Sequence, residues 1–140
     1  MTAASDMDTL RGYYQVNQFL QSTSHENVFA GGDCIAFENT NGRDPFPPKA
    51  GVYAVREGPF IAENVDEYIR AKAEGREPQF KEYVPQSGFL ALLMTGDLSG
   101  IGQKWGISFN GPWVWQMKDY IDRSFMKIFD PNYLFNDYKN

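Results

Sequence analysis

The order of apolar and polar residues predicts two short strands near the start of the chain. Residues 13–22 open with a strand-like alternation and lead into the polar turn TSHEN. Residues 28–33, VFAGGD, form a short apolar run that stops at two glycines and presents Asp33 at its carboxyl end. The next stretch, 34–48, is rich in Asn, Gly, Asp and Pro, which predicts a loop.

A long helix is predicted next, from about Lys49 to Lys72. Its apolar positions recur at mostly helical spacing and are Val52, Val55, Ile61, Ala62, Val65 and Ile69. Two prolines precede it, where proline is well tolerated, and Gly75 is expected to cap its end. Pro59 lies inside this helix, so we expect a kink or a local break there.

A change of composition follows, and the pattern returns to strands and then to a helix. Two strands, about Phe89–Thr95 and Lys104–Phe109, are predicted with a glycine-containing turn between them. Residues 112–129 begin with proline and predict an amphipathic helix, whose apolar face holds Val114, Met117, Ile121, Phe125 and Ile128. The polar and aromatic tail 130–140 is expected to be loose.

These elements predict an α+β chain in two parts. Residues 1–75 contain two strands, a loop and a helix, which are too few elements for an open sheet and are expected to be part of one. Residues 76–140 are expected to form an antiparallel β-hairpin followed by the amphipathic helix. In open α/β sheets ligands bind at the carboxyl ends of the strands, so the bend that carries Asp33 is the candidate binding site.

Composition and charge narrow the classes of function. The 140 residues are about one domain in length, and a net charge of −5 without a Lys/Arg block argues against a nucleic-acid surface. One cysteine excludes an internal disulfide, and one histidine argues against a histidine-rich metal site. We predict no metal site, no secretory signal and no transmembrane run, hence a soluble or peripheral membrane protein of unknown compartment.

Two quoted stretches carry a resemblance to a known family. QSTSHENVFAGGDC, followed by PPKAGVYAVREGPFIAENV, resembles the carboxyl-terminal flavin signature of pyridine nucleotide-disulfide oxidoreductase-type FAD flavoproteins. Type II NADH dehydrogenases and sulfide:quinone reductases are the nearest group. The later stretch LLMTGDLSGIGQKWGISFNGPWVWQMKDYIDRSFMKIF resembles members fused to, or encoded beside, selenide, water dikinase. The resemblance implies that residues 1–75 are the carboxyl-terminal portion of a three-layer, Rossmann-like FAD-binding domain. Residues 76–140 would be a capping or dimerisation domain.

The resemblance implies a set of cofactor contacts. In that family the aspartate of the AGD motif binds the ribityl chain of FAD, and Gly32 and Asp33 match this motif. The family places the start of the next helix under the flavin ring, a position matched by Lys49, Ala50, Gly51 and Val52. A glutamine often stands where this chain has Gly51, which leaves the quinone-side contact open. We assign no catalytic residue.

Two dinucleotide-binding GxGxxG turns, which enzymes of this kind carry for FAD and NAD(P)H, do not occur in this sequence. We therefore expect the isolated chain to be inactive and to need the rest of a flavoenzyme. Cys34 is expected to be a small core residue, and we assign no chemistry to Arg56 or Glu57.

Two alternatives stay open beside the flavoenzyme segment. The hairpin and the Trp-rich helix can form a homo-oligomer, or dock a partner or a membrane surface, without redox activity. A neutral charge balance on the helix favours protein packing over a membrane. A weaker alternative is an independent small α+β domain that binds another ligand.

Overall fold

The computed structural model describes residues 8–38 and 44–129, so the tail 130–140 and the middle of the predicted loop lie outside the described residues. The chain divides into two compact units, Met1–Gln86 and Ser87–Asn140. Within the described ranges the fold is α+β, as expected, and each unit combines a three-stranded sheet with one α-helix.

The sheet of the first unit mixes antiparallel and parallel pairing. Strand β1 (Thr9–Leu10) runs antiparallel to β2 (Tyr13–Val16), and β2 runs parallel to β3 (Ile35–Phe37). All three residues of β3 are buried. We expected these residues to form a loop, and that prediction was wrong. The apolar triplet Ile-Ala-Phe pairs with β2 and enters the core despite the turn formers that follow it.

The predicted strand over VFAGGD is reduced to a single β-bridge between Phe29 and Gln21. The Ser22 N–H donates to the Val28 carbonyl at 2.8 Å, and the Ala30 N–H donates to the Leu20 carbonyl at 3.0 Å. The segment is therefore extended and paired on one side, but it does not continue as a strand to the glycines.

Helix α1 (Gly51–Glu74) confirms the long predicted helix. It ends at Gly75, which has a φ of 67° and lets the backbone N–H of Arg76 donate to the Ala71 carbonyl at 3.0 Å. The helix is continuous through Pro59, so the expected local break does not occur. Proline costs the helix one hydrogen bond and crowds the carbonyl four residues earlier, but the other hydrogen bonds of this 24-residue helix keep it continuous.

The buried face of α1 differs from the predicted apolar face. Val55 and Ile69, which we placed on that face, are exposed. The fully buried positions are Tyr53, Glu57, Asn64 and Ala71. Two of these four residues, Glu57 and Asn64, are polar. A prediction from apolar spacing alone therefore placed the buried face on a different side of the helix.

The core of the first unit lies between this helix and the sheet. Its buried members are Val16, Leu20, Ile35, Phe37 and Tyr83, with Ala30, Phe60 and Ile61 packed against them. Tyr83 comes from the segment after α1, and its ring contacts Phe37 and Phe60 at centroid distances of 6.4 and 5.2 Å. The segment after the helix therefore completes the core.

Asn64 ties that segment to the helix. Its side chain is 1% exposed, and its Nδ2 donates to the carbonyls of Phe19 and Lys81 at 2.9 and 3.0 Å. Its Oδ1 accepts the N–H of Lys81 at 2.8 Å. One buried amide thus satisfies backbone groups on two separate chain segments.

The second unit contains a meander instead of the predicted two-stranded hairpin. Strands β4 (Ala91–Met94), β5 (Gly100–Lys104) and β6 (Ile107–Gly111) pair antiparallel in chain order. We expected β5 to belong to the turn because of its glycines. A Cβ on Gly102 would lie 2.0 Å from the Phe109 ring, so that ring covers the glycine and makes the strand possible.

Helix α2 (Pro112–Met126) begins at proline as predicted and continues into a short 3-10 turn, Lys127–Phe129. Val114 is buried, and its side chain would touch a Cβ placed on Gly100. Ile121 and Phe125, from the same predicted apolar face, are exposed. The sheet therefore covers only the start of that face. Among the described residues no helix has the length and apolar character needed to cross a membrane.

We predict that Asn64→Ala lowers the free energy of unfolding by about 2–4 kcal/mol, because buried backbone groups lose their partner. Urea unfolding followed by the helical circular dichroism signal measures this change. Glu63→Ala is the matched control, since its exposed ion pair with Lys81 at 2.8 Å contributes less than about 0.5 kcal/mol. Equal effects of the two substitutions would contradict the assigned role of Asn64.

Candidate functional site

The candidate site begins at the turn Gly32–Cys34, one turn of 3-10 helix. We predicted Asp33 at the carboxyl end of a strand, and that prediction was wrong. Asp33 lies in this turn and leads into the amino end of β3. Gly32 has a φ of 76°, and a Cβ there would lie 3.3 Å from the Ala54 Cβ of α1. The left-handed backbone and the close helix both favour glycine at this position.

Lys49 links this turn to the start of α1. Its Nζ donates to the carbonyl of Asp33 at 2.8 Å and to the carbonyl of Ile35 at 3.3 Å. The same ammonium lies 4.2 Å from the centre of the Tyr13 ring. The Lys49 side chain therefore connects the segment before α1 to the turn, to strand β3 and to the Tyr13 ring of β2.

The start of α1 is an open helix amino terminus. Ala50 is the N-cap, it makes no side-chain capping bond, and the first turn has no acidic residue. Gly51 is exposed, and a Cβ there would meet nothing within 4 Å. The first backbone N–H groups of a helix lack partners within the helix and carry partial positive charge. This end of α1 therefore favours an acceptor or a negative group.

The Asp33 carboxylate is exposed, and no described residue donates a hydrogen bond to it. Its backbone carbonyl is held by Lys49, so the side chain starts from an anchored position. A carboxylate in this state can accept hydrogen bonds from ligand hydroxyl groups. Cys34, which we expected in the core, is also exposed, and its thiol donates to the Gly31 carbonyl at 3.2 Å. The 3-10 turn directs it away from the core.

Behind the turn lies a buried acidic side chain, Glu57. It is 0% exposed, and its Oε2 accepts the N–H of Gly32 at 2.5 Å. Its Oε1 has no hydrogen-bond partner among the described residues. Burial raises the pKa of this carboxyl, against the lowering effects of the Gly32 N–H and the Lys49 charge.

The predicted site residues thus fall into two connected groups. Gly32, Asp33 and Lys49 meet at the turn, while Ala50, Gly51 and Val52 form the start of α1. Sequence reasoning missed Glu57. A glutamate inside an amphipathic helix ordinarily faces solvent, and no local signal in the sequence indicates its burial.

Comparison with known proteins adds two similarities. The chain is 29% identical to type II NADH:quinone oxidoreductase of Staphylococcus aureus strain NCTC 8325, over 119 residues that cover 84% of this chain and 28% of the relative. It is 34% identical to ferroptosis suppressor protein 1 of Xenopus laevis, over 111 residues that cover 79% of this chain and 24% of the relative. No protein-family model matches the chain.

The chain therefore spans about a quarter of the length of the curated relatives it matches. These distant similarities cover most of this chain and are consistent with a pyridine nucleotide oxidoreductase-like region. The names of these relatives carry no link to selenide, water dikinase, and that part of the resemblance stays a prediction.

We predict that Gly32→Ala lowers the free energy of unfolding by about 1–2 kcal/mol, since an L side chain resists the left-handed conformation. Gly51→Ala is the matched control, because it enters open space at a helix start and should change stability by less than about 0.5 kcal/mol. Urea unfolding of both variants gives the comparison. A Gly32→Ala variant as stable as the control would show that the turn is not constrained.

Proposed function

We propose that this chain supplies one part of an FAD site in an NAD(P)H oxidoreductase. The observation that carries the proposal is the Lys49 bridge, which joins the exposed Asp33 turn to the open amino terminus of α1. Similarity to type II NADH:quinone oxidoreductase over most of the chain points to the same class. On this proposal the described parts belong to an FAD-binding domain and a capping domain, as the resemblance implies.

The residues at this junction fit the chemistry of FAD. The Asp33 carboxylate accepts hydrogen bonds, as the hydroxyls of a ribityl chain require. The backbone N–H groups of Gly51 and Val52, at the positive end of the helix, suit an acceptor or a developing negative charge. Gly51 leaves open space beside the helix start, where a planar ring can approach the backbone.

Each residue then has a defined task. Gly32 gives the turn its shape, Asp33 binds a polyol, and Lys49 fixes the turn against the helix. Ala50, Gly51 and Val52 present backbone N–H groups. When bound, FAD would accept a hydride from NAD(P)H and pass electrons on to an acceptor such as a quinone. The two GxGxxG turns would come from the rest of the flavoenzyme, and these 140 residues alone would not catalyse the reaction.

We predict that the protein translated from the whole reading frame around these residues binds FAD, and that Asp33→Ala weakens this binding about 10- to 100-fold. The loss corresponds to hydrogen bonds made to a charged group. Titration with FAD, followed by flavin fluorescence anisotropy, measures the affinity. Asp66→Ala is the control, because it removes the same charge from an exposed pair with Arg70. Absence of FAD binding, or equal affinities for the two variants, would contradict the proposal.

The alternative function, self-association, is favoured by exposed apolar side chains in the second unit. Leu93 and Ile101 are direct cross-strand partners on the sheet face opposite Val114, and Leu93 is 68% exposed. Trp105, at the β5–β6 turn, is 84% exposed. On α2, Ile121 and Phe125 are exposed as well. We propose that a second copy of the chain covers the sheet face that carries Leu93 and Ile101. Contact of that face with a membrane surface is the competing explanation.

We predict that the chain elutes as a larger species with rising concentration in size-exclusion chromatography, and that Ile101→Lys weakens the association at least about tenfold by burying a charge. Gln116→Lys is the control, because Gln116 is exposed on α2, which packs against the other face of the sheet. A monomer at every concentration would contradict self-association. Binding of such a monomer to anionic lipid vesicles would assign the surface to a membrane.

A further inference from the structure

The buried carboxylate of Glu57 lies directly behind the turn that carries Asp33. Its Oε2 accepts the Gly32 N–H at 2.5 Å, although the two residues are 25 positions apart in the chain. A Cβ on Gly31 would lie 2.9 Å from the same oxygen and 2.8 Å from the Ile61 side chain. The turn and the helix are therefore in direct contact, with no space for an intervening group at Gly31.

This contact is not explained by the stability of the fold. A buried carboxylate loses its hydration, and here one oxygen is left without a partner among the described residues. Hydrogen bonding by a single backbone N–H offsets only part of that loss. An apolar residue of similar size at this position would give the folded state equal or greater stability. The bond is made to the N–H of Gly32, the residue before Asp33, and this location indicates a role in placing Asp33.

We propose that Glu57 is a positioning residue, which holds the Gly32 amide and thereby sets where the Asp33 side chain begins. Lys49 holds the other side of the same turn through the Asp33 carbonyl. The two contacts together fix the peptide group between Gly31 and Gly32, one residue before Asp33, and the peptide group that follows the Asp33 α-carbon. The consequence for FAD binding rests on the function proposed above, whereas the positioning itself needs no cofactor.

The charged groups that face Glu57 come from three different segments. They are Asp33 in the turn, Lys49 before the helix, and Tyr83 in the segment after it. Burial is the main cause that raises the pKa of Glu57 and the Asp33 charge adds to it, while the Gly32 N–H and the Lys49 charge lower it. Burial is also the largest cause that raises the pKa of Tyr83 to about 12, and the Glu57 charge adds to it. Tyr83 thus stays neutral at physiological pH and does not compete with the titration of Glu57.

The sign of the pH dependence follows from the raised pKa. The folded state holds the Glu57 proton more tightly than the unfolded chain, so this residue favours folding most below pH 4.5, its ordinary pKa. That contribution is lost as the pH rises through the folded pKa. Meanwhile ionisation strengthens the bond from the Gly32 N–H, because the acceptor becomes charged. Global stability and local order at the turn therefore change in opposite directions.

Proton NMR of the 140-residue chain tests the positioning directly. We expect the Gly32 amide proton to move downfield as the pH rises, with a midpoint above 4.5, the ordinary pKa of the carboxyl. Asp33→Asn should keep this titration, and Glu57→Gln should abolish it. Loss of the titration in Asp33→Asn, or its persistence in Glu57→Gln, would overturn the proposal.

Amide exchange separates positioning from a general effect on the fold. We expect Glu57→Ala to speed exchange of the Gly32 amide about tenfold relative to wild type, and Glu57→Gln to stay within about threefold. Glu57→Gln should resist urea at neutral pH at least as well as wild type, because the buried charge is gone. Glu57→Ala should be less stable than Glu57→Gln, because the Gly32 N–H loses its acceptor. If exchange at Gly32 changes only in proportion to global stability, Glu57 has no positioning role.

Affinity for FAD in the protein from the whole reading frame gives the final distinction. Glu57→Ala should weaken FAD binding at least about tenfold, and Glu57→Gln by less than about threefold. If wild type binds no FAD while the Gly32 results hold, the proposed function fails and the positioning stands. If wild type binds FAD and both variants bind it equally well, Glu57 does not position the cofactor contact.

Discussion

Helix α1 holds the first unit together because its buried face carries polar groups that bond the backbone of separate chain segments. Glu57 accepts from Gly32, Asn64 bonds Phe19 and Lys81, and the Tyr53 hydroxyl donates to the Gln86 carbonyl at 3.4 Å. Apolar contacts tolerate small shifts, whereas hydrogen bonds require a narrow range of distance and angle. These bonds therefore specify how the Asp33 turn and the segment after the helix lie against α1.

The features that the sequence predicted best are local ones. The long helix, its end at Gly75 and the proline start of α2 depend on neighbouring residues, and all three are confirmed. Strands β3 and β5 were missed for a different reason. Residues 35–37 form too short a run to outweigh the turn formers around them, and Gly102 in β5 depends on the ring of Phe109 from the next strand. Such cross-strand compensation cannot be read from one segment.

In the candidate site, too, features set by neighbouring residues were predicted and features set by distant segments were not. The pattern of residues indicated Asp33, and the family resemblance added Gly32 and Lys49. The structure brings the three together through the Lys49 side chain. The placement of Asp33 at a strand end was wrong because only a single bridge, at Phe29, forms before the turn, whereas strand β3 forms after it. Glu57 was outside the prediction, since its burial follows from the path of a distant loop. A polar residue on the inner helix face is visible only once the fold is known.

We propose that the Asp33 turn and the start of α1 serve a flavin site whose other parts lie elsewhere in a flavoenzyme. The chain matches 28% of its S. aureus relative, and it contains no GxGxxG turn. Sequencing the native transcript upstream of codon 1 tests the claim most directly. We expect an open reading frame that continues upstream and encodes two GxGxxG turns, each between a strand and a helix. An in-frame stop codon just before a genuine start would contradict it.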